Sequence, residues 1–174
     1  MKRVIYIEPE INNQDIINLF SKYNPDSRFV NPHVCLVFPF ESSMKSDDIN
    51  KIMNDVFDGK EEFELKLNGI SISYEEKNNF VFLNVDDKEK KLFEMSKMLY
   101  SKLNGYAALK GEFKPHITMG KNTSIDEINK IKFEIEQKLN STYNCRVKNI
   151  KSSFMLLDDN GNVFLQPECN IKLL

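Results

Sequence analysis

The chain has 174 residues, 41% of them hydrophobic and 29% charged, and its formal net charge is −2. That length buries a real core in one compact unit or two small lobes, while the near-neutral charge excludes a coat for long duplex nucleic acid and still permits a local basic cleft for a short anionic ligand. No apolar run approaches the ~20 residues that a membrane helix needs, and the opening "MKRVIYIEPE" meets charge too soon for a secretory leader, so a cytoplasmic protein with no membrane partner is expected.

"RVIYI" reads as a first strand, and Ile16, Ile17, Phe20 and Tyr23 give the apolar side of a helix over 13–23. "NPHVCLVFPF", residues 31–40, is a second strand that carries one of only two histidines. Ile49, Ile52, Met53, Val56 and Phe57 then recur at helical spacing over 46–58, with Gly59 as a stop. "EFELKLNGISISY" and "NNFVFLNVDD" form an expected antiparallel pair. A third helix is expected over 86–103, opened by Asp86 and Glu89 at capping-box spacing, with Leu92, Met95, Leu99 and Leu103 inside.

The other histidine lies in "FKPHITMGK", residues 113–121. A fourth helix follows, opened by Ser124 and Glu127 and facing inward through Ile128, Ile131, Ile135 and Leu139. Strands through "YNCRVKNIKSSFMLL" and "GNVFLQPECNIKLL", joined by the turn "DDNG" at 158–161, close the chain. Each half therefore reads as a Pro-His strand, a helix and two strands. That order predicts a bilobal α+β fold over 1–174, its two lobes related by approximate internal duplication.

Strand geometry says what the repeated motif presents. Side chains alternate, so His33, Cys35 and Val37 share one face and Val34, Leu36 and Phe38 the other; likewise His116, Thr118 and Gly120 oppose Ile117 and Met119. If the lobes face each other, two imidazoles meet across one cleft. That is what acid/base chemistry on a phosphodiester needs, because a side chain with a pKa near ~6.5 serves in either protonation state. The Thr118 hydroxyl would donate to a non-bridging phosphate oxygen, and Lys114 or Lys121 would add charge, ahead of Arg28 and Lys110. Tyr106 is a candidate for stacking on a base. Met95, Met98 and the many phenylalanines are read as core fillers, and "EEFE" and "KEKK" as solvated faces.

At these residues the chain resembles the two-histidine (2H) phosphoesterase superfamily, in particular its bacterial 2'-5' RNA ligase-like branch. The family pattern is two copies of His, apolar residue, Thr or Ser, apolar residue, about half a chain apart; "HVCL" at 33–36 and "HITM" at 116–119 fill those places. The resemblance implies His33 and His116 as the catalytic pair and Thr118 as a phosphate ligand. It implies two antiparallel sheets with flanking helices and the active cleft between the lobes, in an enzyme that opens 2',3'-cyclic phosphates, or joins or cleaves 2'-5' linked RNA ends, with no ATP, metal or other cofactor; a monomer is expected.

Cys35 departs from the pattern, since a thiol is a weaker donor than the hydroxyl expected there. A competing reading is a non-enzymatic protein that binds nucleotides or RNA ends through a degenerate first motif. Two other chemistries use the same residues: zinc held by His33, Cys35 and His116, and a cysteine nucleophile, which leaves the second motif unexplained. The three cysteines, Cys35, Cys145 and Cys169, are odd in number and lack CxxC spacing, which argues against a disulfide framework or a zinc ribbon.

Overall fold

The computed structural model describes residues 1–159 and 161–174, so Asn160 of the expected 158–161 turn lies outside the described residues. In chain order the elements are β1 (Lys2–Ile7), α1 (Gln14–Tyr23), β2 (Val34–Glu41), α2 (Ser46–Phe57), β3 (Phe63–Tyr74), β4 (Asn79–Asp86), α3 (Lys91–Lys102), β5 (His116–Asn122), α4 (Ile125–Lys138), β6 (Tyr143–Val147), β7 (Asn149–Leu157) and β8 (Val163–Lys172).

N-cap side chains start α1 and α4. The Asn13 carboxamide oxygen accepts from the Ile16 amide at 3.0 Å to open α1, and the Ser124 hydroxyl accepts from the Glu127 amide at 3.3 Å to open α4. Each such cap contributes about 1 kcal/mol. Helix α3 starts later than the Asp86–Glu89 spacing predicts, because Asp86 is still paired in β4. The cap comes from Asp87, whose carboxylate accepts from the Leu92 and Phe93 amides at 3.0 and 2.9 Å. Lys90 turns the chain into the helix at a φ of 55°.

The strands form one strongly curled antiparallel sheet in the order β6-β3-β4-β5-β2-β1-β7-β8, and not the two sheets expected. The halves meet at the centre, where β2 and β5 pair through Val34 and Ile117. Nor does each half of the sequence build its own half of the sheet. The β3–β4 hairpin, which follows His33 in sequence, lies beside β5, while β7 and β8, which follow His116, lie beside β1. Helix α2 packs over β8 before β3 begins at the far side, so strands that are neighbours in sequence are separated in space.

The helices cover one face of the sheet. Ile16, Phe20, Met53, Leu99 and Ile135 pack there against Ile5, Leu36, Leu83, Ile117 and Met119, all buried. Met95 joins this core, but Met98, expected inside, is exposed. Its position on α3 places it one residue short of the buried Leu99. On the same side Arg3 is sealed with Glu168: their side chains are each 1% exposed and Nε lies 3.0 Å from Oε1. Ser46 and Ser152 hydroxyls donate to the same carboxylate at 2.8 Å, and the guanidinium also donates to the Ser42 and Met44 carbonyls. That network ties β1, β7 and β8 to the start of α2.

Candidate active site

Both motif strands carry a β-bulge at the equivalent place. In β2 the register runs from Cys35 opposite Tyr6 to Val37 opposite Ile5, leaving Leu36 as the extra residue. In β5 it runs from Thr118 opposite Phe82 to Gly120 opposite Val81, leaving Met119 extra. An extra residue reverses the alternation beyond it. Val37 and Gly120, expected in the cleft, therefore turn into the core, and Phe38, expected in the core, turns into the cleft with Lys121. Glycine suits the inward position, since a Cβ there would stand 3.2 Å from Ile131 Cγ2 and 3.3 Å from Tyr23 Cβ.

Helix-borne side chains hold these bulges. Ser96 and Tyr100, one turn apart on α3, clamp β2: the Ser96 hydroxyl donates to the Leu36 carbonyl at 2.6 Å, and the Phe38 amide donates to the Tyr100 hydroxyl at 3.0 Å. Asn24, which ends α1, donates through Nδ2 to the Thr118 carbonyl at 2.9 Å.

The recurring proline now has a physical reason. It fixes its own φ and drives the residue before it into extended backbone, which brings that residue's carbonyl back beside the imidazole two positions on. His33 Nδ1 lies 2.8 Å from the Asn31 carbonyl, and His116 Nδ1 lies 2.7 Å from the Lys114 carbonyl. A carbonyl only accepts, so each Nδ1 carries the proton and each neutral ring keeps its lone pair on Nε2. Burial holds both imidazoles below their usual pKa, and His116 is lowered further by charge on the nearby His33. The His116 ring stacks on Phe82 with centroids 3.8 Å apart, and the His33 ring meets Tyr6 edge-on at 5.4 Å.

The open face between these rings is a cleft of about 520 Å³, lined by His33, Cys35, His116, Thr118 and Lys121 together with Phe38, Phe80, Phe82 and Lys2. Burial pushes the Cys35 thiol up to about 12, so it stays neutral and is a poor nucleophile. Among the described residues no three His, Cys, Asp or Glu side chains are gathered to hold a metal ion.

A profile of the 2'-5' RNA ligase superfamily matches residues 7–151, a span that contains both histidine motifs. The chain belongs to this superfamily. Among solved structures, Escherichia coli LigT in its apo form is similar with a TM-score of 0.64 at 16% identity, over 99% of this chain and 96% of that one. The protein TT0787 of Thermus thermophilus gives 0.66 at 12% identity, over 99% and 98%. E. coli LigT complexed with 3'-AMP gives 0.60 at 15% identity, over 99% and 97%. At these identities the likeness is one of fold. No curated protein sequence matches the chain.

In this 2'-5' RNA ligase superfamily member, four sequence candidates stand outside the cleft. The Lys114 ammonium pairs with Glu112 at 3.1 Å, and only its backbone carbonyl serves the site. Tyr106 sits exposed beyond α3 and is absent from the lining, as are Arg28 and Lys110. Sequence reasoning missed Lys2 and the three cleft phenylalanines, which it assigns to the core. The signal available was "FVFL" in β4: an apolar run with no alternation has two covered faces, so half of its side chains lie away from the helices.

Proposed function

We propose that this cleft opens a cyclic or 2'-5' phosphodiester at a nucleotide or RNA end, with His33 and His116 as general acid and base and no metal. The observation that carries the proposal is the matched pair of Nδ1-to-carbonyl hydrogen bonds, which leaves each Nε2 as the nitrogen available to a ligand in one cleft. On a 2',3'-cyclic phosphate, one neutral Nε2 takes a proton from water as its oxygen attacks phosphorus. The opposite imidazolium gives a proton to the ring oxygen that leaves. The Thr118 hydroxyl donates to a non-bridging oxygen, the Cys35 thiol donates weakly from the other side, and Lys121 adds positive charge.

E. coli LigT is known in complexes with 3'-AMP, ATP and NADP+, and nucleotide binding by proteins of this fold supports a nucleotide ligand here. The phenylalanine wall beside His116 supports it too, because every base has a face that stacks. The test is turnover of 2',3'-cyclic AMP by chelator-treated protein, followed by phosphorus NMR. Conversion to a phosphomonoester at an unchanged rate is expected. Loss with chelator that zinc restores would reject the mechanism, and binding without turnover would favour the non-enzymatic reading.

A further inference from the structure

Helix α4 presents an aromatic ring to solvent near the middle of its outer face. Ile128, Ile131 and Ile135 are its buried side, and at about 100° per residue Lys130, Phe133 and Gln137 stand opposite them. Phe133 is 64% exposed, and with Gln137 it borders a hollow of about 580 Å³ on that outer face. This surface is turned away from the histidine cleft, since the helices cover one side of the sheet and the cleft opens on the other.

The charges beside Phe133 are ordered. Glu127, Lys130, Glu134 and Lys138 follow one another along one flank of α4, so the stripe alternates in sign from end to end. Lys130 bonds Glu127 at 2.6 Å, Lys138 lies 3.9 Å from Glu134, and Lys22 and Tyr23 at the end of α1 hold the Glu134 carboxylate in place. A stripe that reads minus, plus, minus, plus reads plus, minus, plus, minus when reversed. A parallel copy of the helix would therefore set like charges side by side, while an antiparallel copy meets an opposite charge at every position. One register serves all the pairs. With Glu127 against Lys138 and Lys130 against Glu134 of the other copy, each Phe133 comes to the two-fold axis beside its own equivalent.

We propose that the outer face of α4 is a self-association surface, on which a second copy of this chain docks antiparallel about a two-fold axis. The contact uses the same patch on both copies and closes as a dimer. Each Phe133 ring enters the hollow beside the other copy's α4 and supplies most of the affinity, as desolvated aromatic anchors do. The exposed ion pairs contribute little energy and select the antiparallel orientation. A pair of 14-residue helices is a small interface, so the dimer is weak, with a dissociation constant on the order of 10–100 µM, in place of the expected monomer. Both clefts stay open to solvent.

Sedimentation equilibrium of the intact chain over about 1 µM to 1 mM brackets that range. The weight-average mass should rise from that of one chain toward that of two. Phe133→Glu, which places two carboxylates at the axis, should weaken association at least about tenfold. Glu127→Lys and Lys138→Glu should each weaken it alone by opposing like charges. An equimolar mixture of these two variants should associate as tightly as the intact chain, because both end contacts then join opposite charges. The three changed side chains are exposed, so Tm should stay within about 2 °C, which separates lost docking from lost folding. A one-chain mass at every concentration would overturn the proposal, as would a dimer indifferent to Phe133→Glu or a mixture that associates no more tightly than its components.

Discussion

Ser96→Ala tests the link from helix to bulge to cleft. The Ser96 hydroxyl is 1% exposed and donates at 2.6 Å to the carbonyl of Leu36, the extra residue of the first bulge. Alanine removes one oxygen and little volume, so the main effect is a buried carbonyl left without its donor, which costs about 1–3 kcal/mol. For a chain of this size each kcal/mol lowers Tm by about 2–4 °C, giving an expected fall of roughly 2–12 °C. Tyr100→Phe removes the acceptor of the Phe38 amide, which is close to solvent, and costs only about 0.5–1.5 kcal/mol. The two sites clamp one bulge, so the double variant should depart from the sum. Urea denaturation gives the stabilities, and KM for a cyclic nucleotide reports the position of Phe38. An unchanged urea midpoint in Ser96→Ala would refute the reasoning.

Cys35→Thr should keep β2 intact and replace a weak donor by a hydroxyl. A gain of about 0.5–1.5 kcal/mol corresponds to roughly two- to tenfold tighter phosphate binding or faster turnover, and abolished activity in a folded variant would show that the thiol itself is required. Glu168→Gln leaves the Arg3 guanidinium sealed without its counter-charge, and a loss of about 3–5 kcal/mol is expected by denaturant titration; a loss under about 1 kcal/mol would remove the network from the account. Both imidazoles are lowered by burial, so the singly protonated pair is most populated below pH ~6.5. kcat/KM should therefore rise as pH falls from neutrality through ~6.5 and drop once both rings are charged, and an optimum above pH ~7 would contradict this. The same depression makes the unfolded chain bind protons more readily, so stability is full above ~6.5 and is lost as pH falls through the folded pKa values.

The four helices were legible because their apolar positions repeat within a few residues, and Asn13 and Ser124 mark two of their starts. Asp86 misled because a capping pattern says nothing about whether a strand still holds the residue. The two histidine motifs were legible as a repeat, with His33, Cys35, His116 and Thr118 in it. The bulges at Leu36 and Met119 were not, since a bulge is defined by the partner strand's register, and that pairing is non-local. Missing them put Phe38 on the wrong face. The single sheet was hidden for a related reason: local order gives strand, helix, strand, strand twice, but only long-range pairing decides that β3 and β4 join β5.

The central claim is that two Nε2 atoms act together on one phosphorus, and a double-mutant cycle on 2',3'-cyclic nucleotide turnover tests it most directly. His33→Ala and His116→Ala should each lower kcat/KM by about 10²–10⁴-fold, with ligand affinity little changed. Because acid and base serve one step, the double variant should be far less impaired than the product of the two single losses. Near-full activity in either single variant, or losses that simply multiply, would contradict the account.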